Sequence, residues 1–226
     1  MAVHAPHDLE APASVVSAYF SDVFLHLDEM RVRMEALFAA GPVSAGEVSA
    51  AIAPLVGRTL ADQRLMGSGF VAARHVLSDK ALYLAWWQGE NRQLLAEAEA
   101  PDSGDPLDYT RHEWFRVPAR TGLPHVAGPY VDYVCTDEYV LTATAPVVVD
   151  GVMVGVVGAD TLVETLELML LPSLREAGDG ATVVNGAGRA VVSQSPRIAT
   201  GSLVDVQGSR EVLPCGDLEL AVVIPD

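Results

Sequence analysis

The first hint of chemistry in this 226-residue sequence is a single acidic side chain, Asp160, at the end of the otherwise apolar run VGVVGAD (154–160). A carboxylate that closes a buried strand is costly unless something pairs with it, and the ammonium group of a small ligand is one such partner. Elsewhere the sequence offers aromatic and polar groups of the kind that line small-molecule pockets: Trp114, Phe115, Tyr130, Asp132, Tyr133, Tyr139 and Thr142, with Arg111 as a counter-charge. Each also has an ordinary reading. Trp114 and Phe115 suit a core, Tyr130 and Tyr133 could cap a sheet edge with wet hydroxyls, and Asp132 could satisfy donors within its own turn. Asp160 could be the N-cap of a helix starting at Thr161.

Catalytic signatures are missing. The sequence contains no Gly-x-Ser-x-Gly, HExxH or P-loop motif, and its histidines (His4, His7, His26, His75, His112 and His125) show no metal-ligand spacing. Cys135 lies near His125 and Asp137 in sequence, but a lone cysteine beside a strand is generally buried and inert. The acidic stretch PDSGDPLDYT (101–110) lacks the spacing and closing glutamate of a calcium loop. The expectation is a binding module with no catalytic activity, metal or cofactor. The alternatives are a protein-interaction module with a filled pocket and, less favoured, a small hydrolase or lyase using Asp132, Asp160 or Cys135.

The elements that must position these groups follow from periodicity. Asp150-Gly151 favours positive φ at both central positions of a two-residue turn, so 139–160 reads as a long β-hairpin. Along its first strand Val140, Thr142 and Thr144 share one face while Tyr139, Leu141, Ala143 and Ala145 share the other. Its second strand is apolar with Gly155 and Gly158 inside it, as in a strand approached closely by its neighbours. Upstream, Val16, Phe20, Val23, Leu27, Met30, Met34 and Leu37 recur in steps of four and three, predicting a helix over 13–40. That seam could cover the domain's own sheet or pair with a second copy. Ser44-x-x-Glu47 reads as a capping box opening a second helix to about residue 62, with a kink or break at Pro54.

After Gly67-Ser68-Gly69 the period becomes strand-like. Strands are expected over 70–77, 81–88 and 94–99, a helix over 111–120, an irregular Gly/Pro stretch before the hairpin, and a helix over 161–176 interrupted near Pro172. Short strands over 181–185, 190–193 and 218–223 finish the chain. Because Trp86 and Trp87 alternate faces, at most one can enter a pocket. The fold class is α+β: a long N-terminal helix packed on a central antiparallel sheet with flanking helices. The expected division is 1–64, helical, and 65–226, the body that carries the sheet.

Composition narrows the partners. Fourteen Lys and Arg against 30 Asp and Glu give a net charge of −16, which argues against nucleic acid and against anionic membrane surfaces. Two cysteines are too few for a disulfide framework. No basic start followed by an apolar run marks a signal peptide, and no stretch approaches the ~20 apolar residues needed to cross a bilayer. A cytoplasmic location is expected, although a domain taken from between membrane segments would read the same way.

In order, Trp114-Phe115, GPYVDYV (128–134), TATAPVVVDG (142–151) and VGVVGAD (154–160) resemble the Cache domains, PAS-like small-molecule sensors. The resemblance covers about residues 65–195. It implies a single sensor module that binds an amine, an amino acid or a carboxylate and signals through its N-terminal helix, as a homodimer or to a separate regulatory protein. Most Cache domains sit between two membrane helices, from which this sequence departs. In the amino-acid-binding members an Arg two residues before a Trp-Tyr pair takes the carboxylate, while aromatics and a strand-end Asp take the amine. Trp114 and Phe115 match the pair and Asp160 matches the Asp. His112 stands at the Arg position and Arg111 is one residue off, which moves the implied ligand away from an α-amino acid.

Overall fold

The structure is a computed structural model that describes residues 8–88, 93–94, 109–131 and 138–226. The chain divides into two compact units, the larger made of Asp22–Ala127 and Thr142–Thr161 and the smaller of Met1–Ser21, Gly128–Leu141 and Leu162–Asp226. This division cuts across the boundary expected at residue 64, because residues 22–64 share a unit with most of the main sheet.

Among the described residues, ten strands and four α-helices make up the α+β fold. The main sheet contains β1 (Gly67–Ala72), β2 (Leu84–Gln88), β3 (Gln93–Leu94), β4 (His125–Val131), β5 (Tyr139–Val149) and β6 (Val152–Leu162), in the order β3-β2-β1-β6-β5-β4. The expected hairpin is β5–β6. Asp150 and Gly151 have φ of 51° and 78°, the positive pair a type I′ turn requires.

Three boundaries differ from expectation for physical reasons. Gly67-Ser68-Gly69 is the first half of β1, not a breaker before it. Trp86 packs over this stretch, and a Cβ on Gly67 would lie 2.7 Å from its Nε1. The irregular stretch before the hairpin is β4, in which Gly128-Pro129 interrupts the pattern without ending the strand. β6 runs on to Leu162, and Leu162 is the N-cap of the next helix without a side-chain cap bond. Asp160 is therefore a strand residue, and the capping role open to it in sequence is not the one it plays.

Helix α1 (Glu10–Ala39) carries the apolar seam. Val16, Phe20, Val23, Leu27, Met30 and Met34 are at most 2 % exposed within one copy of the chain. The seam is thus spent on the protein's own core, the first of the two destinations left open by the sequence. Among the described residues, Leu25 and Val32 are the large apolar side chains that α1 leaves exposed. In the larger unit α1 lies behind β1: the Phe38 and Phe70 rings are 5.9 Å apart, and the Ser68 hydroxyl lies 3.9 Å from Met30 Sδ.

Helix α2 (Ala45–Thr59) opens on the expected capping box, Glu47 N–H donating to Ser44 Oγ and Ser44 N–H to Glu47 Oε2 (2.9 Å), and it continues through Pro54. Helix α3 (Glu113–Thr121) follows a 3-10 turn over Tyr109–Arg111. In the smaller unit α4 (Val163–Ala177), continuous through Pro172, packs on a second antiparallel sheet. That sheet comprises β7 (Thr182–Asn185), β8 (Ala190–Ser193), β9 (Glu211–Pro214) and β10 (Leu220–Ile224), ordered β8-β7-β10-β9. β9 is an addition to the strands legible in sequence; its burial alternates along an edge. Among the described residues no helix is long and apolar enough to cross a membrane.

Candidate functional site

Antiparallel register puts directly opposed residues on one face of a sheet. Gly67 of β1 is opposed to Gln88 of β2 on one side and to Asp160 of β6 on the other, and Gly69 is opposed to Trp86 and Gly158. One face of the larger unit's sheet therefore presents Gln88, Trp86 and Asp160 around a strip of three glycines. The Trp86 indole lies on that strip. A Cβ on Gly67 would meet its Nε1 at 2.7 Å and Asp160 Oδ2 at 3.2 Å, and a Cβ on Gly158 would meet its Cη2 at 3.1 Å. Trp87 falls on the opposite face.

Asp160 is buried, at 6 % exposure. Thr142 Oγ1, on the polar face expected for β5, donates a 2.6 Å hydrogen bond to Asp160 Oδ1. Two residues on, Thr144 Oγ1 donates to the Trp114 carbonyl at 2.7 Å and so fastens α3 to the same face. Trp114 stacks on His112 (5.6 Å between centroids, 7° between planes) and on Tyr109 (6.4 Å, 24°), while Phe115 turns edge-on to it and is buried.

Tyr109 holds this cover to the sheet. Its hydroxyl accepts from the Tyr83 N–H at 2.8 Å and donates to the Ala72 carbonyl at 2.9 Å. At the start of α3, Glu113 Oε1 pairs with the buried His125 Nε2 at 2.9 Å. That hydrogen bond holds the Glu113 carboxyl below its ordinary range against the opposing effect of burial.

Of the residues singled out in sequence, Thr142, Asp160, Trp114 and Phe115 lie in the larger unit, and the first three are tied to this face by hydrogen bonds or strand position. Arg111 ends the 3-10 turn, exposed. Tyr130 and Tyr139 belong to the smaller unit, where Tyr139 is 41 % exposed and its ring borders Gly201. Asp132, Tyr133 and Cys135 lie outside the described residues. Cys215 is buried, and desolvation pushes its thiol up to about 12, which leaves it no thiolate at neutral pH.

Sequence reasoning missed Trp86, Gln88 and Tyr109 as parts of this face. The available signal was parity: Trp86 and Gln88 are two apart in one strand, opposite Gly67 and Gly69, themselves two apart in the next.

Two concavities lie away from these groups. A groove of about 470 Å³ opens between Asn185, Asp205 and Glu219 in the smaller unit, and one of about 340 Å³ lies beside Arg31, which is already paired with Asp28 and Glu35. Among the described residues no group of three or more His, Cys, Asp or Glu could hold a metal ion.

Comparison with known proteins gives a consistent family picture. Residues 53–167 match the family model described as "Methyl-accepting chemotaxis protein-like, first PDC sensor domain". A curated relative, the methyl-accepting chemotaxis protein TlpQ of Pseudomonas aeruginosa, is 28% identical over 110 residues. The match spans 46% of this chain and 15% of that protein's length.

Solved structures share the fold. The ligand-binding domain of the Pseudomonas aeruginosa amino-acid chemoreceptor PctB in complex with L-Arg aligns with a TM-score of 0.63 and 18% identity, over 96% of this chain and 92% of that one. For the Pseudomonas fluorescens chemoreceptor CtaA domain with L-isoleucine the values are 0.61 and 16%, over 96% and 89%. For the Campylobacter jejuni Tlp3 sensory domain with isoleucine they are 0.60 and 14%, over 86% and 71%.

Proposed function

With residues 53–167 matching its model, the chain belongs to the family of first PDC sensor domains of methyl-accepting-chemotaxis-protein-like receptors, and we propose that it senses a small cationic amine on the Asp160 face of its larger unit. The observation that carries this reading is the buried Asp160, held at Oδ1 by Thr142 and presenting Oδ2 over the side-chain-free Gly67. A carboxyl so placed favours a positively charged, hydrogen-bonding partner, and aromatic walls supply the rest of a small-molecule site. Trp86 and Trp114 are the proposed walls, with Arg111 proposed as a further contact. The solved structures named above hold amino acids; in this chain His112 stands where the Cache resemblance implies an Arg for the carboxylate, which favours an amine over an α-amino acid.

The proposed role is recognition without catalysis. The signal is proposed to leave through α1. Gly67 and Ser68 are consecutive in β1, so one strand separates the ligand face from the face on which Ser68 meets Met30 of α1. A ligand that draws Asp160 and Trp86 together over Gly67 biases the seating of α1 on that strand. Because the curated relative is much longer than its matched segment, the recipient is proposed to be the rest of a receptor chain, not a separate regulatory protein. The compartment then follows the receptor's, in place of the cytoplasmic location expected from the sequence.

A thermal-shift screen of amines, amino acids and carboxylates tests the reading. Specific binders raise the melting temperature by mass action, by about 2.7 kcal/mol of added stability at a hundred times Kd. A panel in which carboxylates stabilise the protein and amines do not would overturn it.

A further inference from the structure

We infer that Gln88 is a second polar anchor of the proposed amine site, so that the ligand carries a hydrogen-bond acceptor as well as its cationic nitrogen. This rests on the amine reading above and adds a chemical class to it. Gln88 is 8 % exposed, and its Nε2 is the buried side-chain polar atom that finds no hydrogen-bond partner among the described residues. A buried amide donor left without an acceptor is destabilising, and native proteins keep few of them. Gln88 and Asp160 are both opposed to Gly67, one from each side, so their side chains rise from the face on which the Trp86 indole lies.

Two strand separations put the Gln88 and Asp160 backbones about 9.5 Å apart, a span that one small molecule can bridge between the two side chains. The polarity is fixed as well: Asp160 Oδ2 accepts from the nitrogen, and Gln88 Nε2 donates to a carbonyl, carboxamide or carboxylate oxygen. A plain alkylamine satisfies one end only, whereas an amine bearing an acceptor spans both while its methylenes lie on the Trp86 ring. Trp86 thus acts as a platform and Gln88 as the specificity contact.

Calorimetric titration of the 226-residue chain with propylamine, β-alaninamide and β-alanine tests this, with Gln88→Leu, Gln88→Glu and Asp160→Asn variants checked for folding by circular dichroism. The wild type is expected to bind β-alaninamide about tenfold more tightly than propylamine, the worth of one hydrogen bond to a buried donor. Gln88→Leu should bring the two within about twofold by weakening only the amide. Gln88→Glu, which keeps the shape and loses the donor, should do the same, and Asp160→Asn should weaken both amines. β-Alanine distinguishes an anionic acceptor from a neutral one, and preference for either over propylamine supports the inference. A wild type that binds propylamine as tightly as the acceptor-bearing probes, or a preference that survives both Gln88 substitutions, overturns this inference while leaving the amine reading intact. Failure of the wild type to bind any of the probes overturns both.

Discussion

Thr142 and Asp160 face each other across the β5–β6 hairpin, and the Thr142 hydroxyl donates to Asp160 Oδ1 at 2.6 Å with both side chains buried. Asp150 and Gly151, both at positive φ, close the hairpin, and Thr142, on the polar face of the first strand, meets the one acid of the second. The bond occupies one carboxyl oxygen and turns the other over Gly67.

Thr142→Val keeps the shape and removes the donor. It should lower unfolding stability by about 1.5–3 kcal/mol, the usual range for a hydrogen bond to a charged group, measured by urea denaturation. It should also weaken amine binding, because Asp160 loses the contact that orients it. Unchanged affinity alongside lower stability would make the bond purely structural.

Gly67→Ala puts a Cβ 2.7 Å from Trp86 Nε1 and 3.2 Å from Asp160 Oδ2. The indole must move, at about 1–3 kcal/mol for an overpacked site. The expected outcome is a shifted tryptophan emission maximum and loss of ligand stabilisation, read by fluorescence and thermal shift on the same samples. Since Gly67 sits in an extended strand, the effect is steric and not one of backbone conformation.

Tyr109→Phe removes a hydroxyl that serves the Tyr83 N–H and the Ala72 carbonyl together. Leaving buried backbone groups without it should cost about 1–3 kcal/mol. Because this hydroxyl ties the 3-10 turn to the sheet, hydrogen exchange should quicken first at Tyr83 and in α3, not in the smaller unit.

Acid should weaken the larger unit through Glu113. Its carboxyl is held below its ordinary value of 4.5 chiefly by the hydrogen bond from His125. The folded state therefore binds that proton less readily than the unfolded chain does. The contribution is complete above the ordinary value and is lost as pH falls through the lower folded one. Urea melts of the wild type and Glu113→Gln should differ at pH 6, and the difference should shrink as pH falls below the ordinary value of 4.5. A constant difference would remove Glu113 from the account.

How far the sequence revealed this can be traced residue by residue. The hairpin, the Thr142 face, the capping box at Ser44 and the seam of α1 are periodic or local, and periodicity is what a single sequence displays. The destination of the seam was not legible, since Val16 through Met34 would look the same facing a second copy as facing β1. Gly67-Ser68-Gly69 read as punctuation because glycine in a strand is explained only by what lies on it, and Trp86 comes from another strand. Gln88 carried no signal of its own. Its meaning appears once register opposes it, through Gly67, to Asp160.

The central claim, that Asp160 receives a ligand's cationic nitrogen, is tested most directly by titrating the wild type and Asp160→Asn with the best amine from the thermal-shift screen. Asparagine keeps the size of the side chain and removes the charge. The account predicts at least a hundredfold loss of affinity, about 2.7 kcal/mol, with circular dichroism unchanged. Equal affinity in the two proteins would contradict it.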